Sequence, residues 1–181
     1  MSDGVIYKHS VEAFIQRVLL RRGLLSLEFD RELRALGVDA SRPTEVTADV
    51  WIKLLKLTAR RISPNKTEEE ALEELGREQL RGYLEGLVGR AILTVVKLGG
   101  PQRTMLRMAE NIRTADSITR VQAVELSPTS VQLEFDTDYG VQGYMRGLLH
   151  ETLVMQNVKD PKVTVRKTET GSLVFTTSWS A

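Results

Sequence analysis

Hydrophobic and polar positions follow two different periods along this chain, helical up to about Arg113 and alternating beyond it. In the first part, Val11, Phe14, Ile15, Val18 and Leu19 fall on one face of a helix that Ser10 is placed to cap and Gly23 to end. Ser26 starts a second short helix, with Phe29, Leu33 and Leu36 inward and Gly37 as its stop. Val38 to Pro43 reads as a linker. Thr47 caps a third helix with Trp51, Leu54, Leu55, Thr58 and Ile62 on its inner face, closed by Ser63-Pro64-Asn65. Thr67 and Glu70 have capping-box spacing, and Glu68 and Glu69 suit the positive end of a helix dipole. They open the longest predicted helix, Thr67 to about Leu98, which is apolar on nearly every side beyond Gly82. A helix of that kind belongs at the buried centre of a domain. Gly99-Gly100-Pro101 breaks it, and proline at a first helical position starts another, Pro101 to about Arg113, with Met105, Met108, Ala109 and Ile112 inward.

The second part reads as strands with one helix between them. Thr119 to Leu126 and Val131 to Asp136 form a hairpin, and in the second strand Val131, Leu133 and Phe135 alternate with Gln132, Glu134 and Asp136. Val141 to Gln156 is helical, and Lys162 to Lys167 and Leu173 to Trp179 form a second hairpin around Glu169-Thr170-Gly171. One-sided alternation predicts an antiparallel sheet with helices on one face. The fold class is therefore α+β: an N-terminal helical half with a central buried helix, packed on a C-terminal β-β-α-β-β antiparallel sheet. The expectation is a single domain over residues 1–181, with the helical half at about 9–113 and the sheet half at about 118–180.

Glycine in the long helix changes this picture. Gly82, Gly86 and Gly89 share one narrow stripe, which Leu72, Leu75, Leu93 and Val96 continue; Gly76 lies off it. Each interior glycine costs about 1 kcal/mol relative to alanine, so the row implies an approach too close for a Cβ atom. A second helix, another subunit or a ligand would each account for it. Gly143 and Gly147 form a matching pair on the helix between the hairpins, and the two small-residue faces are suited to pack on each other.

Composition narrows the function classes. Twenty-five basic against 24 acidic residues leave a net charge of +1, no overall field for nucleic acid or an anionic membrane. Without cysteine there is no disulfide framework, thiolate metal site or cysteine nucleophile. No apolar run approaches the roughly 20 residues of a membrane span, and the start lacks a basic and apolar leader, so a cytoplasmic location is expected.

Several segments carry a resemblance. Leu75-Gly-Arg-Glu-Gln-Leu-Arg-Gly-Tyr, Gly89-Arg-Ala, Gly99-Gly-Pro-Gln-Arg-Thr-Met-Leu-Arg-Met, Asn111-Ile-Arg-Thr, Gly143-Tyr-Met-Arg-Gly-Leu-Leu and Thr177-Ser-Trp resemble a paralogous family of unknown function largely confined to myxobacteria. The resemblance spans roughly Val5 to Trp179. More distantly, the layout is similar to the fold of small TRAPP tethering subunits, 4-vinyl reductase domains and haem nitric-oxide-binding domains. That likeness implies a helix bundle on an antiparallel sheet, with a buried apolar pocket in many members, and ligand sensing or assembly in place of a shared chemistry. The Tyr-x-Ser-x-Arg propionate motif of the haem-binding relatives is absent, as is the cysteine that TRAPP relatives acylate.

No catalytic residues stand out: serines and carboxylates abound, but no nucleophile elbow or metal-binding histidine pair accompanies them. His9 and His150 both read as solvated, and neither a metal nor a cofactor is implied. The surface candidate is a basic group around the Gly99-Gly100-Pro101 break: Arg103 and Arg107 on the outer face of the following helix, Arg113 at its end and Lys97 before it. Arginine forks grip a carboxylate, a phosphate or an acidic partner loop. Gly82, Gly86, Gly89, Gly143 and Gly147 are the close-packing or pocket candidates. The main expectation is a non-enzymatic regulatory or adaptor module that acts through protein contacts, including a homodimer. The alternative is a sensor holding an apolar small molecule in a helix–sheet pocket.

Overall fold

A computed structural model describes residues 4–85, 99–110, 112, 115–136 and 138–180. The order of elements is β1 (Val5–Ile6), α1 (Lys8–Phe14), a π-helical turn (Ile15–Leu20), α2 (Leu27–Ala35), β2 (Val46–Thr47), α3 (Ala48–Ile62), α4 (Glu68–Glu85), α5 (99–110), β3 (Val121–Ser127), β4 (Ser130–Phe135), α6 (Gln142–Met155), β5 (Lys159–Lys167) and β6 (Leu173–Ser180). The fold is α+β, with a four-stranded antiparallel sheet in the order β3-β4-β6-β5.

Local chemistry explains most boundaries. Ser26 Oγ accepts from the Phe29 amide and Thr47 Oγ1 from the Val50 amide, while Thr67 and Glu70 close a reciprocal capping box. Gly37 lies in the left-handed region, at φ 84°, and ends α2; Gly100, at φ 77°, sits in the first turn of α5. Ser10 differs from its expected role. The first helix begins at Lys8, and the Ser10 hydroxyl donates instead to the Ala115 carbonyl at 2.9 Å. The helical period also misses the π-helical turn, which ends as expected at Gly23: at φ 63° it closes a Schellman cap, with the Leu24 amide donating to the Leu19 carbonyl at 2.9 Å and the Gly23 amide to the Leu20 carbonyl at 3.0 Å.

Two features lie outside the pattern read from sequence. β1 pairs with β2, and Ile6 bridges Asp116, so the N-terminal strand fastens the helical half to the connector before β3. The interior is also divided. One apolar cluster gathers α1, the π-helical turn, α2, α3 and α4 around Phe14, Phe29, Leu54 and Leu75. Another joins α5, α6 and the sheet around Met105, Leu133, Leu153 and Phe175. Met145 of α6 packs against both. Phe135, Phe175 and Trp179 are buried beneath the helices of the second cluster, whereas Glu134, Thr164 and Arg166 face outward from the sheet. The predicted helical continuation to Leu98, with Leu93 and Val96, lies outside the described residues. No described helix is long and apolar enough to cross a membrane.

Candidate functional site

Between the two clusters is a cavity of about 550 Å³. Its walls come from five directions: α1 through Ala13, α3 through Trp51 and Leu55, α4 through Gln79, α6 through Tyr144 and Leu148, and the sheet through Phe135 and Phe175. The size is that of a pocket for a small organic molecule. Aromatic edges stiffen the lining. Trp51 meets Phe14 edge-on at 5.2 Å, and Phe135 meets Phe175 edge-on at 5.3 Å.

The rim is polar and tied to itself. Asp116 Oδ1 accepts from the amides of Ile118 (2.9 Å) and Thr119 (2.6 Å), and its Oδ2 from the Thr119 hydroxyl (2.6 Å). The Val5 amide donates to Ser117 Oγ at 2.9 Å. His9 lies at this rim, exposed and stacked on Tyr7 at 5.9 Å. Arg17 lines the cavity and is already engaged with a partner. Deeper in, burial pushes the Tyr144 phenol well above its ordinary range, so it stays neutral. Gln79 Oε1 is enclosed and has no hydrogen-bond partner among the described residues.

The glycines place α6 and α4 around this space. A Cβ on Gly143 would strike the Glu69 carbonyl, and one on Gly147 the Glu73 carbonyl and, at 3.1 Å, the Arg77 amide. Gly76, off the predicted stripe, is the reciprocal position: its Cβ would strike the Tyr144 carbonyl and come within 2.9 Å of the Leu148 amide. Thus the small-residue pair of α6 meets the Gly76 face of α4 and not the Gly82 face. Gly82 abuts the Arg17 carbonyl of the π-helical turn. Gly86 and Gly89 lie outside the described residues.

Ion pairs line the same α4–α6 seam. Arg81 binds both oxygens of Glu151 at 2.9 Å, and Glu151 is only 5% exposed. Arg146 reaches Glu73 at 2.6 Å and Glu69 at 3.3 Å. Glu78, 7% exposed, collects Arg21 at 2.9 Å, Arg22 at 3.5 Å and Arg81 at 3.3 Å. His150 belongs to this seam and corrects the solvated reading. It is half-buried, its Nδ1 is enclosed without a partner, and burial together with the Arg77 guanidinium holds its pKa below the ordinary value. No pattern along the chain signals this, because the neighbouring charges of Glu73, Arg77 and Arg81 come from α4.

Arg103 and Arg107 are exposed on α5, whereas Met105 and Ala109 are fully buried on its other face. Lys97 and Arg113 lie outside the described residues. No group of three or more histidine or acidic side chains among the described residues could hold a metal.

Solved structures share this architecture over nearly the whole chain. A protein studied for modulation of heme redox potential through porphyrin distortion superposes with a TM-score of 0.69 at 13% identity, covering 97% of this chain and 96% of the other. An oxygen-binding H-NOX domain related to soluble guanylate cyclases gives 0.68 at 14% identity, covering 97% and 96%. The Fe(II) unliganded H-NOX protein from K. algicida gives 0.66 at 12% identity, covering 97% of each. At such identities the likeness establishes a common fold. Functionally curated proteins give no match to the sequence. Residues 4–180 match a family model described as a protein of unknown function (DUF2378), and the chain belongs to that family.

Proposed function

We propose that the protein is a sensor-type module that holds an apolar small molecule between its helical and sheet halves, acting as one domain. The observation that carries this reading is the cavity of about 550 Å³ between the two apolar clusters, lined by both. An apolar molecule that fills a cavity of that size makes packing contacts along all of its walls. Support also comes from the common fold with H-NOX domains. The missing catalytic constellation and the family resemblance, which favour an adaptor, fit a sensor equally well. Protein contacts then belong outside the cavity, with exposed Arg103 and Arg107 as the surface for an acidic partner.

Heme is named for similar structures, but the donors here do not fit it. An enclosed haem takes an axial ligand from histidine, cysteine, methionine or tyrosine. The two histidines are His9, exposed at the rim, and His150, in the α4–α6 seam; cysteine is absent. Tyr139, Tyr144 and Met145 line the wall, but among the described residues no histidine lies in its interior to serve as the axial ligand. Arg17 is the one arginine or lysine among the described lining residues, where two propionates would need partners.

The test is extraction of protein purified without denaturant from its native cell, read by mass spectrometry and absorbance. An apolar molecule near one equivalent, without a Soret band, is expected. An empty protein that no hydrophobic probe stabilises against heat would end the sensor reading.

A further inference from the structure

We propose that the cavity takes an organic cation, a molecule with an apolar body and one ammonium group, whose N–H donates to the Asp116 carboxylate at the rim. The inference rests on the sensor reading above and adds the chemistry that selects the ligand.

The lining holds one carboxylate, Asp116, and one guanidinium, Arg17, at different ends. Asp116 follows Ala115, whose carbonyl takes the Ser10 hydroxyl at 2.9 Å, while Arg17 abuts Gly82 of α4. Between Ser10 and Arg17 the helical chain advances about 10 Å. Arg17 is already engaged, whereas Asp116 has no cationic partner among the described residues. Its three donors, the Ile118 and Thr119 amides and the Thr119 hydroxyl, are all neutral. They orient the carboxylate and leave its charge in place. Two of them share Oδ1 and one takes Oδ2, so Oδ2 keeps acceptor capacity for a further donor.

The carboxylate is also fixed in position. Ile6 bridges Asp116, and the Ser117 amide donates to the Val5 carbonyl at 3.0 Å, so β1 straps this connector down. An anion held in place beforehand loses little freedom when a cation arrives. The same strand brings in an aromatic ring. The Ala48 amide donates to the Gly4 carbonyl at 3.0 Å, and the lining residue Trp51 follows one turn along α3. Indole is the side chain whose face attracts a cation best. Beyond it, Leu55, Phe135, Leu148 and Phe175 offer apolar surface to the body of the ligand. Asp116 is half-buried, so an ammonium bound there keeps part of its hydration and escapes the full cost of a buried ion.

The experiment compares 2-naphthylmethylamine, 2-naphthylmethanol and 2-naphthoic acid at pH 7, where one ring system carries a positive charge, none or a negative charge. Dissociation constants are measured by equilibrium dialysis for the wild-type chain and for Asp116→Asn. The asparagine oxygen still accepts from the Ile118 and Thr119 amides, so the connector keeps its shape while the charge is removed. In the wild type the amine should bind most tightly of the three, although a charge costs more than a hydroxyl to take out of water. In Asp116→Asn the amine should weaken by about tenfold or more, the effect of one charged hydrogen bond, and the alcohol by less than about twofold. If the variant does not fold, the wild-type ranking alone decides. Tightest wild-type binding of the alcohol or the acid, an unweakened amine in the variant, or equal loss of amine and alcohol overturns the role of Asp116. Failure of all three probes to bind overturns the sensor reading and this inference with it.

Discussion

At the residue scale, Gly147 and His150 respond to one helix in different ways. A Cβ on Gly147 would meet only backbone, the Glu73 carbonyl and the Arg77 amide, and backbone in a packed helix cannot step aside. Gly147→Ala should therefore cost about 1–3 kcal/mol, as overpacking does. Gly99→Ala is the control: its Cβ would meet the Arg103 side chain at an ordinary 3.4 Å. There, thermal melting should show no loss, or a gain of up to about 1 kcal/mol from helix propensity. Equal destabilisation of the two variants would contradict the close crossing. His150 adds a pH dependence. Burial, with Arg77 and Arg81 nearby, outweighs the attraction of Glu73 and Glu151 and lowers its pKa from the ordinary 6.5. The unfolded chain therefore takes up a proton that the folded chain resists. The stability due to the neutral ring is complete above 6.5 and is lost as the pH falls through the lowered folded value. Between about pH 8 and pH 5, where histidine titrates, His150→Gln should lose less melting temperature than the wild type. Parallel curves would return His150 to solvent.

At the element scale, the α4–α6 seam combines backbone contact with ion pairs, and the pairs differ in consequence. Arg81 grips a nearly buried Glu151 with two bonds, whereas Lys53 and Asp49 pair at 2.6 Å with both side chains more than half exposed. Arg81→Met leaves the Glu151 carboxylate enclosed without its partner and should cost about 2 kcal/mol. Lys53→Met should cost less than about 0.5 kcal/mol, as exposed pairs do. Urea denaturation of the two variants checks the ranking, and a reversed order would mean that the seam opens to water. The individual helices were legible in the sequence where a cap fixed an end, at Ser26, Thr47 and Thr67, and β4 was legible from its alternation. These signals act within a few residues of chain. The pairing of β1 with β2, the π-helical turn and the partnership of Gly76 with Gly143 and Gly147 were not legible, because each depends on an element far along the chain. The Gly82 stripe is the more regular pattern in the sequence, yet it is Gly76, outside that stripe, that meets α6.

At the scale of the whole molecule, the cavity was the least legible feature. Trp51, Phe135, Phe175 and Leu148 carry the same hydrophobic signal as core residues that touch on all sides, and a sequence pattern records burial without recording empty space. The exposed arginines were easier, since Met105 and Ala109 fix the opposite face of α5. The Arg103→Glu, Arg107→Glu double variant should keep its stability within about 1 kcal/mol and lose recovery of an acidic partner in a pulldown. Unchanged recovery would assign both side chains to a solvated face. The cavity has a sharper test in Ala13→Phe. In a filled core, a ring in place of a methyl group costs about 1–3 kcal/mol or more, because neighbours must leave their rotamers. Ala13 instead faces about 550 Å³ of space between the two clusters, where a ring has room. The variant should melt within about 0.5 kcal/mol of the wild type, as a harmless substitution does, or higher if the ring recovers lost contacts. It should also release the copurifying molecule and lose binding of 2-naphthylmethylamine, since the added ring occupies the same volume. Stability and retention are then separable in one protein. A strongly destabilised variant would mean that the space closes in solution, and a stable variant that still binds the probe would place the ligand elsewhere.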